Sequence, residues 1–174
     1  MVVEAIKRWI RSNVWTKLEA DARYYTQAQI TALLAGYLPT NYYATGTFTP
    51  DLTFGGANVG MTWSSRSGRY IKIGNLIYVS ADMRLSAKGS STGGAKVTGL
   101  PFTAANDDAV GNAVVLWYQM ATNWVFIAGA VEKNTTNFFL VGLTAAGASY
   151  TSLLNSDFAN NSILSFTCTY EKVA

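Results

Sequence analysis

Asp107 and Asp108 stand side by side, while Asp51, Asp82, Glu132, Asp157 and Glu171 are dispersed along the chain. Glycoside hydrolysis usually needs two carboxyls facing the scissile bond, one protonated and one ionised. The adjacent pair follows "LPFTAAN" in what reads as a loop, where solvation is the simpler expectation, and spacing alone brings none of the others together. The rest of the chemical repertoire is thin. Histidine is absent, which removes Ser-His-Asp and Cys-His nucleophilic sites, the common zinc sites and the most frequent general acid–base. The one cysteine, Cys168, alternates with apolar residues in "LSFTCTY" and reads as a small buried hydrophobe. "KGSSTGG", Lys88 to Gly94, is glycine-rich, yet its lysine precedes the glycines and strand-like runs flank it. It therefore reads as an inter-strand loop and not as a phosphate-binding loop. EF-hand spacing of oxygen ligands is also missing. The expectation is a protein that is not an enzyme and that uses no cofactor or metal.

Binding is better served than catalysis. "LWYQMATNWVF" gathers Trp117, Tyr118 and Trp124 around a turn signal. Aromatic rings near loops stack on sugar faces and lose little entropy in doing so. Asn123 and Trp124 lie nearest the turn and are the first candidates for a glycan site, followed by Trp117 and Tyr118. The competing reading places these rings in the core or between subunits.

Composition narrows the partners. The chain has 174 residues, 49% hydrophobic and 13% charged, with a net charge of +3. This suits one folded domain with an appendage and argues against disorder. Basic residues form no stripe interleaved with aromatics, so nucleic acid is not expected. The apolar runs are too short to span a bilayer, and the start lacks the apolar core of a signal peptide. Neither membrane insertion nor export by that route is expected, and the sequons at Asn134 and Asn160 are incidental on this reading.

The elements that must position these residues fall into two unlike regions, a helical stretch over 1–43 and a β domain over 44–174. In "VVEAIKRWIRSNVWTKLEADARYY", Val3, Ile6, Ile10, Val14 and Leu18 recur three or four apart, which is one face of a helix. Lys7, Arg8 and Arg11 make the densest basic cluster, largely off that face. With Trp9 and Trp15, such a helix suits a protein partner, copies of itself or a membrane surface. Packing is favoured, with Ile6, Trp9, Ile10 and Val14 as the docking residues. A second helix follows in "YYTQAQITALLAGYLP". Thr26 and Gln29 have capping-box spacing, and Gly36 suits the left-handed position just past a helix, with Pro39 beyond it. Ile30, Leu33 and Leu34 make a stripe that a helix this short leaves uncovered, and other copies of the chain are the natural cover.

From Thr47 onward the period changes to two. Ile77, Val79, Ala81, Met83 and Leu85 alternate with Tyr78, Ser80, Asp82 and Arg84, and Leu164, Phe166, Cys168 and Tyr170 alternate with Ser165, Thr167 and Thr169. These are half-buried strands. Gly74-Asn75 marks a tight hairpin. "AVVLWYQM", "NWVFIAGAVE" and "NFFLVGLT" are further short strands between turns. The fold class expected is mainly β, an antiparallel sandwich of jelly-roll type behind a short helical stalk.

The run Gly46 to Asn106 resembles a β-domain found at the C-termini of bacteriophage tail fibres and tailspikes. The blocks that carry the resemblance are "GTFTPDLTFGG", the aromatic strand "MTWSS", "GRYIKIGN", "KGSSTG" and "GLPF", in that order. "YYTQAQITALLAG" is similar to the short helix common in phage fibre shafts. The resemblance implies a homotrimer with its helices at the virion-proximal end. It also implies contacts with other virion proteins through the first helix and an outward β domain that meets a bacterial surface polysaccharide. Two other functions stay open at this point: an architectural head or neck decoration that recognises nothing, and a polysaccharide-degrading tailspike.

Overall fold

The computed structural model describes residues 2–13, 25–37, 41–108 and 111–173. The chain divides into two compact units, Met1–Tyr42 and Tyr43–Ala174.

In the first unit, α1 spans Val2–Asn13 and carries a Glu4–Lys7 ion pair of 3.0 Å one turn apart. Helix α2 spans Gln27–Tyr37. Its start is the expected capping box: the Thr26 N–H donates to Gln29 Oε1 at 2.8 Å, and the Gln29 N–H donates to Thr26 Oγ1 at 3.2 Å. Two orphan donors of the first turn are thereby satisfied reciprocally. Gly36 departs from expectation. It lies inside the last turn of α2, without the positive φ of a helix-ending glycine, and the helix continues to Tyr37. Val14, Trp15, Leu18 and Pro39 lie outside the described residues.

The second unit contains β1 (Tyr43–Phe48), β2 (Asp51–Phe54), β3 (Met61–Ile73), β4 (Leu76–Lys88), β5 (Ala95–Thr98), β6 (Gly111–Met120), β7 (Phe126–Val131), β8 (Phe138–Leu143), β9 (Thr151–Ser152) and β10 (Phe158–Glu171). Among the described residues these form one ten-stranded sheet, in the order β1-β3-β4-β10-β6-β7-β8-β5-β2, with β9 on β8. Every pairing is antiparallel. The class is the mainly antiparallel β expected from the alternation, with short helices ahead of it. In place of two separate layers, a single sheet curls over itself. Phe138 on β8 and Phe166 on β10 are separated by β6 and β7 in the sheet order, yet their rings meet edge to face at 4.9 Å. Phe54 on β2 and Phe158 on β10 meet at 5.1 Å.

The alternation does the sorting. Ile77, Val79, Met83, Leu164, Phe166, Cys168 and Tyr170 all point inward and are at most 3% exposed. Burial pushes the Cys168 thiol up to about 12, as befits an inert core residue. The β3–β4 hairpin closes at Ile73↔Leu76, and only Gly74 takes a positive φ, at 59°. That is the pattern of a two-residue turn whose first position needs glycine. Two polar side chains stitch the curl. Tyr170 donates its hydroxyl to the Phe102 carbonyl at 3.0 Å and accepts the Phe102 N–H at 3.2 Å, fixing the "GLPF" loop to β10. Ser162 accepts the Ala159 N–H at 2.8 Å and donates to the Gln119 carbonyl at 2.9 Å, which satisfies the β10 bulge between Phe158 and Ile163.

Candidate functional site

The outer face of the sheet, not its core, is where ligands and partners have access. The register brings residues far apart in sequence into rows across β1, β3, β4 and β10. One row is Thr47, Arg69, Ser80, Thr167; the next is Thr45, Ile71, Tyr78, Thr169. Neighbours in such rows are separated by the strand spacing of about 4.8 Å. Together they line a groove of about 470 Å³ walled by Thr45, Thr47, Arg69, Ile71, Tyr78 and Ser80. It continues into a second depression of about 630 Å³ that shares Thr47, Arg69 and Ser80 and adds Ser67, Asp82 and Ser165.

Charge in this region is mostly accounted for. Arg66 pairs with Asp51 at 2.8 Å and lies over the Trp63 ring at 5.0 Å. Asp82 accepts from Arg84 at 2.8 Å and from Ser165 at 2.6 Å. Partial burial pushes the Asp82 carboxyl up, but those two hydrogen bonds and the Arg84 charge outweigh it and hold it below its ordinary value. Arg69 is the exception. It is exposed and makes no ion pair or hydrogen bond among the described residues.

The residues singled out by sequence divide between two environments. Trp117, on the inward parity of β6 with Ala113 and Val115, and Trp124, in the β6–β7 turn, are half-buried against the core. The Trp124 ring covers Gly142, where a Cβ would overlap it, and its Nε1 is buried without a partner among the described residues. Tyr118 and Asn123 are exposed. The structure thus leaves Tyr118 and Asn123 open to solvent and the two tryptophans half-buried. In the helical unit, Ile30, Leu33 and Leu34 are exposed, and α2 buries no residue. Ile6, Trp9 and Ile10 on α1 are likewise exposed.

A second outward feature is apolar. On β6, Val114, Leu116 and Tyr118 are 71%, 59% and 56% exposed, and Phe126 on β7 is 43% exposed. The β6–β7 ladder covers only Asn112 to Val114, so the rest of β6 is hydrogen-bonded in the sheet through β10. Aliphatic residues this open beside a partly unladdered strand are an aggregation hazard unless something covers them.

Several carboxylates of the β unit are engaged by cations or hydrogen-bond donors. Asp108 sits with Lys133 at 2.6 Å, and that hydrogen bond and charge hold its carboxyl below its ordinary value. Glu132 binds Lys96 at 2.7 Å, and Asp157 accepts from Thr122 at 2.6 Å and from the Leu154 N–H at 2.7 Å. Among the described residues no cluster of three metal-ligating side chains occurs, and no helix is long and apolar enough to cross a membrane.

No protein-family model matches the chain, and no curated protein matches it at a significant level. Among solved structures, the crystal structure of the Dettilon tailspike protein (gp208) is similar, with a TM-score of 0.62 at 18% sequence identity. The similarity covers 74% of this chain and 24% of that one, so the chain spans about a quarter of that tailspike's length. At such identity the likeness is one of fold: this chain is built like a segment of a tailspike.

Proposed function

We propose that the protein is a structural component of a phage virion, a homotrimeric tail fibre or appendage that attaches to a bacterial surface glycan. The observation that carries this reading is the fold likeness to a tailspike segment in a chain whose Gly46–Asn106 blocks resemble fibre C-termini. The helices supply the stalk. Ile30, Leu33 and Leu34 of α2 meet their counterparts on the other two chains, and Ile6, Trp9, Ile10 and Val14 dock the first helix on another virion protein. The open β6 row of Val114, Leu116 and Tyr118 is consistent with further contact between copies, because a solitary chain would leave it to water.

Attachment needs no strong single site. Three sites held together gain avidity far beyond each alone. Asp82 and Asp108 are both held low, which suits neither to be a glycosidase acid, whose carboxyl is raised.

The assembly is tested by light scattering on the full chain and on a version starting at Asn41. The full chain is expected at three times its 18.8 kDa mass over a wide concentration range. A monomer across that range would refute the fibre. The shorter version locates the holding contact: monomers assign it to the helices, and trimers assign it to the β unit.

A further inference from the structure

We infer that the groove across β1, β3 and β4 is a binding site for an acidic saccharide, with Arg69 as the carboxylate anchor and Tyr78 as the stacking platform. This rests on the attachment reading above and goes beyond it by assigning the site and the class of sugar.

Arg69 carries the argument. Of the basic side chains in the β unit, Arg66, Arg84, Lys96 and Lys133 are in ion pairs, Lys88 donates to the Asn155 carbonyl, Lys172 donates to the Val173 carbonyl, and Lys72 is engaged. Among the described residues Arg69 alone is left without a partner, and it stands in the middle of a groove. Its neighbours on either side in the row are the hydroxyls of Thr47 and Ser80, with Thr167 next along. A guanidinium presents a fork of donors matched to a carboxylate, and flanking hydroxyls both donate and accept. That set suits a sugar carrying an acid group and ring hydroxyls together.

Tyr78 completes it. In antiparallel pairing Arg69 faces Ser80, so Tyr78 is its diagonal neighbour on the same face, at about 7–8 Å, within reach of one bound ring. Tyr78 is 42% exposed and lines the groove beside Ile71, leaving aromatic surface for the apolar face of a pyranose. Asp82, the carboxylate of the adjoining depression, does not neutralise Arg69, because its own charge is taken by Arg84 and Ser165. A nucleic acid would need several free cations in line, and the β unit offers this one.

The test measures binding of the full chain to colanic acid, colominic acid and polygalacturonate, with dextran as the neutral control, at low and at physiological salt. At least one acidic polymer is expected to bind, more weakly as salt rises. Arg69→Ala should weaken that binding about tenfold or more, the loss expected for a hydrogen-bonded charge pair. Arg69→Lys should fall between the two, and Tyr78→Ala should cost several-fold. Lys133→Ala, which removes the same charge far from the groove, should bind as wild type. Both Arg69 and Tyr78 are exposed, and unchanged melting temperatures confirm that the variants fold. The inference is overturned if Arg69→Ala binds like wild type, if Lys133→Ala loses as much, or if no acidic polymer exceeds dextran. Binding of a neutral surface glycan that ignores Arg69 would remove this site and leave attachment standing. Absence of binding to every glycan and to whole cells would remove both.

Discussion

Phe138→Ala lowers the unfolding free energy of the β unit by about 3–5 kcal/mol, a large part of the roughly 5–15 kcal/mol that keeps a domain folded. Phe138 is 0% exposed and lies on β8 with Val131 of β7 on one side and Val97 of β5 on the other. Its ring bridges the curl to Phe166 at 4.9 Å. Gly129 leaves the space that the ring occupies, since a Cβ there would overlap it. Truncation therefore removes the transfer term, the cross-sheet ring contact and the filling of a tailored gap together. Collapse cannot recover much, because the surrounding backbone is fixed by ladders on both flanks. Urea denaturation followed by tryptophan fluorescence checks this. Gly129→Ala provides the complement: it should destabilise the wild-type core and do so far less beside a smaller residue at 138, because the two positions share one volume. A cost below about 1 kcal/mol for Phe138→Ala would mean that the two halves of the sheet do not close on each other.

In the trimer proposed above, the triple change Ile30→Ser, Leu33→Ser and Leu34→Ser is expected to release monomers while the β unit keeps its fold. The three side chains are 47%, 51% and 56% exposed on a helix that buries nothing within its own chain. An eleven-residue helix in isolation is marginal, because nucleation is costly and few bonds follow. Covering an apolar side chain of this size stabilises by about 1.5–3 kcal/mol, and three chains would each contribute three of them. Serine forfeits that gain without disturbing the Thr26–Gln29 cap. Helical circular dichroism should fall along with the mass, while the near-ultraviolet signal of the β unit stays. An unchanged mass would place the holding contact elsewhere, with the β6 row first in line.

The strands were legible because period two leaves little choice where one face is buried. In β4 the inward set read from the sequence is the buried set found, and in β10 the four residues read as inward are buried, joined there by Phe158 and Ser162. The Thr26–Gln29 cap was equally plain, since both partners lie within one turn. Other features were harder to read. Whether strands close as two sheets or as one curled sheet depends on long-range pairing, here on β10 serving both β4 and β6. Trp117 could have been placed: it continues the inward parity of Ala113 and Val115, and its aromatic character drew attention to the turn instead. Trp124 carries no such signal, because the Gly142 it covers lies on β8, a strand beyond the one that follows the turn. The groove was invisible for a similar reason. Thr47, Arg69, Ser80 and Thr167 belong to four strands, and only their register makes them neighbours.

The most direct test of attachment is adsorption of the fluorescently labelled full chain to a panel of bacterial strains, each paired with a derivative lacking its surface polysaccharide. The account predicts saturable binding to at least one strain, lost in the polysaccharide-deficient partner and competed by the purified polymer. Binding that persists after the polysaccharide is gone, or no binding anywhere on a broad panel, would contradict it.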